Sequence, residues 1–175
     1  MRNKLTKVMF LLASLMFVFS LAGCQGFEKA KIFNDYIMDL SNDEPYWEAA
    51  QAAADNIQGS HSNSEILSYA ELCRGYLDKI VDNAEKRNQT ITDVEIKDID
   101  DSYVAFVTSM RDGYKDLIDG VKTGDTDKFN RGNILIQDAL NKSLVFSDKV
   151  SAYQTKYKLK PSDDVTSLEH LLTGK

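Results

Sequence analysis

The chain has 175 residues, with 21 Lys and Arg against 27 Asp and Glu, a formal net charge of −6. An acidic chain of this kind is a poor match for nucleic acid or anionic headgroups as electrostatic partners. Its two cysteines, two prolines and nine glycines exclude a disulfide-stapled scaffold and point to long helices.

The chain opens on Arg2, Lys4 and Lys7, followed by an apolar run over residues 8–21. A basic start, an apolar stretch and small residues after it form a secretory signal peptide. The run is about 14 residues, short of the roughly 20 that a spanning helix needs. It ends in Leu21-Ala22-Gly23-Cys24, which resembles the lipobox of bacterial lipoproteins. The resemblance covers about the first 25 residues. It implies cleavage before Cys24 and a diacylglyceryl group on the Cys24 sulfur. Two or more acyl chains hold a protein firmly to a bilayer, where one holds it only marginally. The alternatives are an ordinary signal peptide with a free Cys24, or an uncleaved N-terminal anchor. Gln25 follows Cys24. It is not an aspartate, so nothing demands inner-membrane retention in a cell with an outer membrane. On this reading residues 1–23 are removed, 24–26 are a lipidated tether, and 27–175 form one domain.

Loss of Arg2, Lys4 and Lys7 leaves 21 less three, or 18, basic residues against 27 acidic ones, a net charge of −9. With Cys24 lipidated, Cys73 has no partner for an internal disulfide, so stability must come from burial. About 150 residues suffice for one domain with a real core.

After the anchor, apolar residues recur at threes and fours. The first segment runs Phe33, Ile37, Leu40, Glu44, Trp47, Ala50, Ala54 and Ile57. Pro45 interrupts it, giving either two short helices or one kinked helix. The unbroken phase favours the kink. Gly59 suits a helix C-terminus. The second segment starts at a Ser62-x-x-Glu65 capping box and runs Ile66, Ala70, Cys73, Leu77, Ile80 and Ala84, ending near Arg87. Thr92-x-x-Glu95 is a further capping box. The third segment runs Ile96, Ile99, Tyr103, Phe106, Met110, Gly113, Leu117 and Val121, with Gly124 as its stop and Asp125 or Thr126 as the next cap. The fourth runs Phe129, Gly132, Ile136, Ala139, Ser143, Phe146, Val150, Tyr153 and Tyr157, up to Lys160-Pro161. A short tail helix over 164–172 follows.

Four such segments with short loops predict an all-α protein, an antiparallel up-down four-helix bundle with long helices. No segment reads as a strand, and no repeat of solenoid length is present. A turn at Gly124 and Asp125 would set facing positions of the last two helices to sum to about 249 or 250. That rule places Val121 by Phe129, Leu117 by Gly132, Gly113 by Ile136 and Tyr103 by Phe146.

No catalytic constellation is visible. His61 and His170 fall in a loop and in the tail, away from any core carboxylate. There is no Glu-x-x-His, His-Glu-x-x-His, Gly-x-Ser-x-Gly or Gly-rich phosphate loop. Cys73, beside Arg74, reads as a small core residue rather than a nucleophile. Asp98, Asp100 and Asp101 cluster near a helix start, where they would face solvent and complement its positive end. The acidic positions from Asp125 fail the spacing of a calcium loop. Most of the tyrosines and Trp47 lie on or beside the apolar stripes and read as core, but one of the adjacent Tyr46 and Trp47, or Tyr69, falls at a stripe edge, so these three are candidate contact anchors for a protein partner.

The chain therefore reads as a lipid-anchored, extracytoplasmic helical interaction module, neither an enzyme nor a cofactor protein, with membrane and protein as its partners. The second reading is a small-ligand or metal-binding lipoprotein using a gap in the bundle near Gly113 and Gly132.

Overall fold

The computed structural model describes residues 17–18, 24–60 and 62–161, and five helices account for nearly all of them. They are α1 (Cys24–Ser41), α2 (Glu44–Gly59), α3 (Asn63–Thr90), α4 (Val94–Thr123) and α5 (Thr126–Tyr157). Two-residue segments, β1 (Phe17–Val18) and β2 (Lys160–Pro161), pair antiparallel. Leu21, Ala22, Gly23, His61, His170 and the expected tail helix over 164–172 lie outside the described residues.

The first segment is two helices, not one kinked helix. A proline in a continuing helix would lose its bond to the carbonyl four residues back and clash with it. For Pro45 that carbonyl belongs to Ser41, where α1 ends. Asn42 and Asp43 turn the corner, and Pro45 falls in the first turn of α2, where a missing N–H costs nothing. Helix α1 begins at Cys24, within the span 24–26 read from the sequence as a tether.

The remaining boundaries follow the capping chemistry. Ser62 Oγ accepts from Glu65 N at 3.2 Å and starts α3. Helix α3 then continues past Arg87 to Thr90. Asp93, not Thr92, caps α4, accepting from Glu95 N and Ile96 N. Its carboxylate is held there by Lys29 at 2.6 Å. Gly124 ends α4 in the left-handed region at φ 68°, where a side chain would be strained. Asp125 caps α5 by accepting from Lys128 N.

Burial follows the apolar stripes. Phe33, Leu40, Leu77, Ile80, Ile96, Tyr103, Phe106 and Met110 are the large, fully enclosed side chains of one continuous core. Helix α3 packs on α2 and on α4, and α4 packs most closely on α5. Glycine makes that last approach possible. A Cβ on Gly113 would stand 2.6 Å from Ile136 Cγ1, and one on Gly132 would stand 2.7 Å from both Gly113 O and Leu117 N. The expected neighbours Leu117/Gly132 and Gly113/Ile136 are thus in contact, and the rings of Tyr103 and Phe146 lie 5.3 Å apart. Beside the turn it is Gly120, one residue before Val121, that abuts Phe129. The space beside Gly113 and Gly132, which the second reading left as a gap, is taken up by the backbone of the opposite helix and by the Ile136 and Leu117 side chains.

Candidate functional site

The most unusual chemistry lies where α1 turns into α2. Asp43 caps α2 with its carbonyl, which accepts from Tyr46 N and Trp47 N at 3.1 and 3.0 Å. Its carboxylate does not cap. It points inward instead and is fully buried, at 0% exposure. There it accepts from Asn83 Nδ2 (2.9 Å), Arg87 Nη1 (3.2 Å) and the Tyr103 hydroxyl (3.0 Å). Trp47 Nε1 donates in turn to the Tyr103 oxygen at 3.0 Å.

Arg87 is the centre of this cluster. Its Nε donates to Asp100 at 2.9 Å, and Asn88 Nδ2 also donates to Asp100, at 3.0 Å. The guanidinium lies 5.0 Å from the ring centre of Tyr103 and 5.8 Å from that of Tyr36. Burial opposes its charge, but Asp100 foremost, then the tyrosines and Asp43, outweigh that and raise its pKa. Burial, reinforced by Asp43, likewise pushes the Tyr103 hydroxyl well up, and burial with Asp100 does the same to Tyr36. Both hydroxyls therefore remain protonated. Arg87 Nη2 and the Tyr36 hydroxyl make no hydrogen bond among the described residues.

Two carboxylates and one guanidinium thus tie the α1–α2 corner to α3 and α4. Buried ion pairs of this kind add little net stability over apolar packing, because desolvation offsets the attraction. Removing any one partner, in contrast, leaves a charge buried alone, which is strongly destabilising.

Asp100 was expected to face solvent with Asp98 and Asp101, and it does not. Asp98 and Asp101 are exposed, paired with Lys149 and Lys97. Asp100 lies four residues after Ile96 and three before Tyr103, on the buried face. Arg87 follows Ala84 by three, and Asp43 follows Leu40 by three. A charged residue in phase with an apolar stripe was the available signal. In the first segment Asp43, not Glu44, carries that phase.

A second polar group gathers where α1 starts, α4 starts and α5 ends. Lys29 Nζ lies 2.6 Å from Asp93 and 3.3 Å from Glu95. Glu95 also accepts from Lys156 and from the Tyr157 hydroxyl. The Lys156 and Tyr157 hydrogen bonds lower the Glu95 pKa to about 2.

The other expected site residues are dispersed. Cys24 is the first residue of α1. Trp47 is only 4% exposed and stacks on Phe106 at 5.4 Å, so it is a core group rather than a surface anchor. Tyr46 and Tyr69 are half-buried on separate helices. Cys73 is buried, and desolvation pushes its thiol up to about 12, which leaves no nucleophilic thiolate near neutrality. Among the described residues no group of His, Cys, Asp and Glu is arranged to hold a metal. None of the described helices is long and apolar enough to cross a membrane.

The fold and its polar clusters define an all-helical protein with a charged lock inside its core. No protein-family model matches the chain, and no curated protein or solved structure is similar to it.

Proposed function

We propose that the chain is a lipid-anchored, extracytoplasmic helical module that binds another protein at the surface of a bacterial membrane. The observation that carries this reading is Leu21-Ala22-Gly23-Cys24, placed directly after a basic start and an apolar run. The helical domain begins at Cys24, which fits a mature protein starting there. In that mature form Phe17 and Val18 are removed, and β2 loses its partner.

The helices form an antiparallel four-layer bundle whose first layer is α1 and α2 in succession. In support, residue n of α4 meets about residue 249 − n of α5, as with Gly113/Ile136 and Tyr103/Phe146. Similarly, residue n of α3 meets about 187 − n of α4, as with Arg87/Asp100. Mass spectrometry of the membrane fraction tests the anchor. The expected mature chain starts at Cys24 and carries a diacylglyceryl mass, and Cys24→Ala blocks processing. An unmodified chain starting at Cys24 contradicts the proposal. Affinity capture of the anchored protein against its Cys24→Ala form then tests for a partner, and identical recoveries argue against an interaction role at the membrane.

A further inference from the structure

We infer that the end of the protein bearing Cys24 is itself a docking surface for the bilayer, so that the bundle stands upright on the membrane. This inference deepens the anchor reading and rests on it only for the position of residue 24. Three observations carry it.

First, no tether separates anchor and domain, since α1 starts at Cys24. Lys29, five residues on, lies about 7.5 Å further along the helix at 1.5 Å per residue. Its contact with Asp93 brings the start of α4 to the same level within the reach of a side chain. A bilayer's polar layer is about 5–7 Å thick on each side of its hydrocarbon core. Residue 24 at the headgroups therefore places Asp93 and Val94 at the outer margin of that layer.

Second, among the described residues at this end two large apolar side chains are exposed. Phe27 is 59% exposed and Val94, the first residue of α4, is 81% exposed. A valine left in water at a helix start, beside a satisfied Asp93 cap, adds nothing to the fold. In a headgroup layer both side chains regain part of their transfer energy.

Third, the charge at this end differs from that of the whole chain. The protein is strongly acidic, yet here Asp93 and Glu95 are covered by Lys29 and Lys156, which leaves Glu28 as the exposed carboxylate beside Phe27. Lys158 stands exposed just beyond the end of α5. Lys158 offsets Glu28, so the described charges at this end sum to about zero, and anionic headgroups meet far less repulsion here than from the rest of the acidic surface.

The test uses tryptophan as a depth gauge. Val94→Trp and Ile134→Trp are made in the full chain. Each protein is purified from membranes as the cell processes it and reconstituted in phosphatidylcholine–phosphatidylglycerol vesicles carrying a lipid spin-labelled near its headgroup. Ile134 lies two residues past Gly132, which faces Leu117, on a helix that descends from there, and so stands about 32 Å above Val94. Native Trp47 bonds to Tyr103, about 15 Å above Asp93, and gives an unquenched background. The expected result is a blue-shifted, strongly quenched signal for Val94→Trp and none for Ile134→Trp. No quenching at residue 94 overturns the docking. So does equal quenching at both positions, which describes a bundle lying on its side. Both positions are exposed, so the fold tolerates the changes. The mass of the same samples separates this proposal from the anchor reading. A lipidated protein without quenching sinks only the docking, and an unlipidated protein that stays in the membrane and is quenched sinks only the lipidation. A protein that leaves the membrane altogether sinks both.

Discussion

Replacing glycine by alanine at two helical positions should change stability in opposite directions. In the middle of an exposed helix the exchange stabilises by about 1 kcal/mol, because alanine has the better propensity. Gly75 in α3 offers that case, since a Cβ there meets nothing within 4 Å. Gly132 in α5 does not. Its Cβ would stand 2.7 Å from Gly113 O and from Leu117 N, where ordinary contact begins at 3.4 Å. Both obstacles are backbone, so no rotamer change relieves them. The α4–α5 spacing must open locally by the difference, about 0.7 Å, and a gap of that size forfeits a quarter to a half of each contact's dispersion energy. Overpacking of this kind costs about 1–3 kcal/mol, and the upper part of the range applies because neighbouring pairs open together. After the propensity gain, Gly132→Ala should be destabilised by about 1–2 kcal/mol and melt roughly 2–8 °C lower. Gly132→Leu should lose more. Thermal and urea unfolding followed by circular dichroism, with Gly75→Ala as the control, measure both signs. A Gly132→Ala or Gly132→Leu protein as stable as the wild type would refute the close packing and reopen the space there to a ligand.

Arg87→Met should destabilise by about 3–5 kcal/mol in urea at neutral pH, since it leaves Asp43 and Asp100 buried without their cation. Arg74→Met, which breaks only the surface pair with Asp78, should cost less than about 1 kcal/mol; equal losses would deny the buried cluster its special cost. Glu95 has a depressed pKa in the folded state, so its contribution is present above the unfolded value near 4.5 and is lost as pH falls towards about 2. Glu95→Gln should therefore be less stable than wild type at pH 7, by under about 1 kcal/mol because the site is partly exposed. The two proteins should converge in acid, and a difference that persists unchanged at pH 2 would contradict the assignment. Cys73 in the folded Cys24→Ala protein should react with a thiol reagent only as fast as the protein opens, and prompt labelling would show the thiol to be accessible.

Most helix boundaries, the apolar residues that face the core and the pairing of α4 with α5 were legible in the sequence. Those depend on short-range physics: a 3.6-residue apolar period, capping side chains next to their N–H groups, and a glycine turn that sets register by counting. The proposed anchor rests on sequence alone, on the four residues Leu21-Ala22-Gly23-Cys24. The tertiary structure decided what long-range contacts decide. Asp43 could cap α2 with its side chain, but Arg87 and Tyr103, 44 and 60 residues away, draw the carboxylate inward. The phase of the stripe passes through Pro45 undisturbed, yet the Ser41 carbonyl cannot share space with the proline ring, so one helix becomes two. Thr92 and Asp93 are both acceptable caps in sequence, and Lys29 from α1 selects Asp93. Glycine at 113 and 132 fits a hollow or a close contact equally well. Only the distance between two helix axes, set by every side chain along them, distinguishes the two, and here the backbones touch.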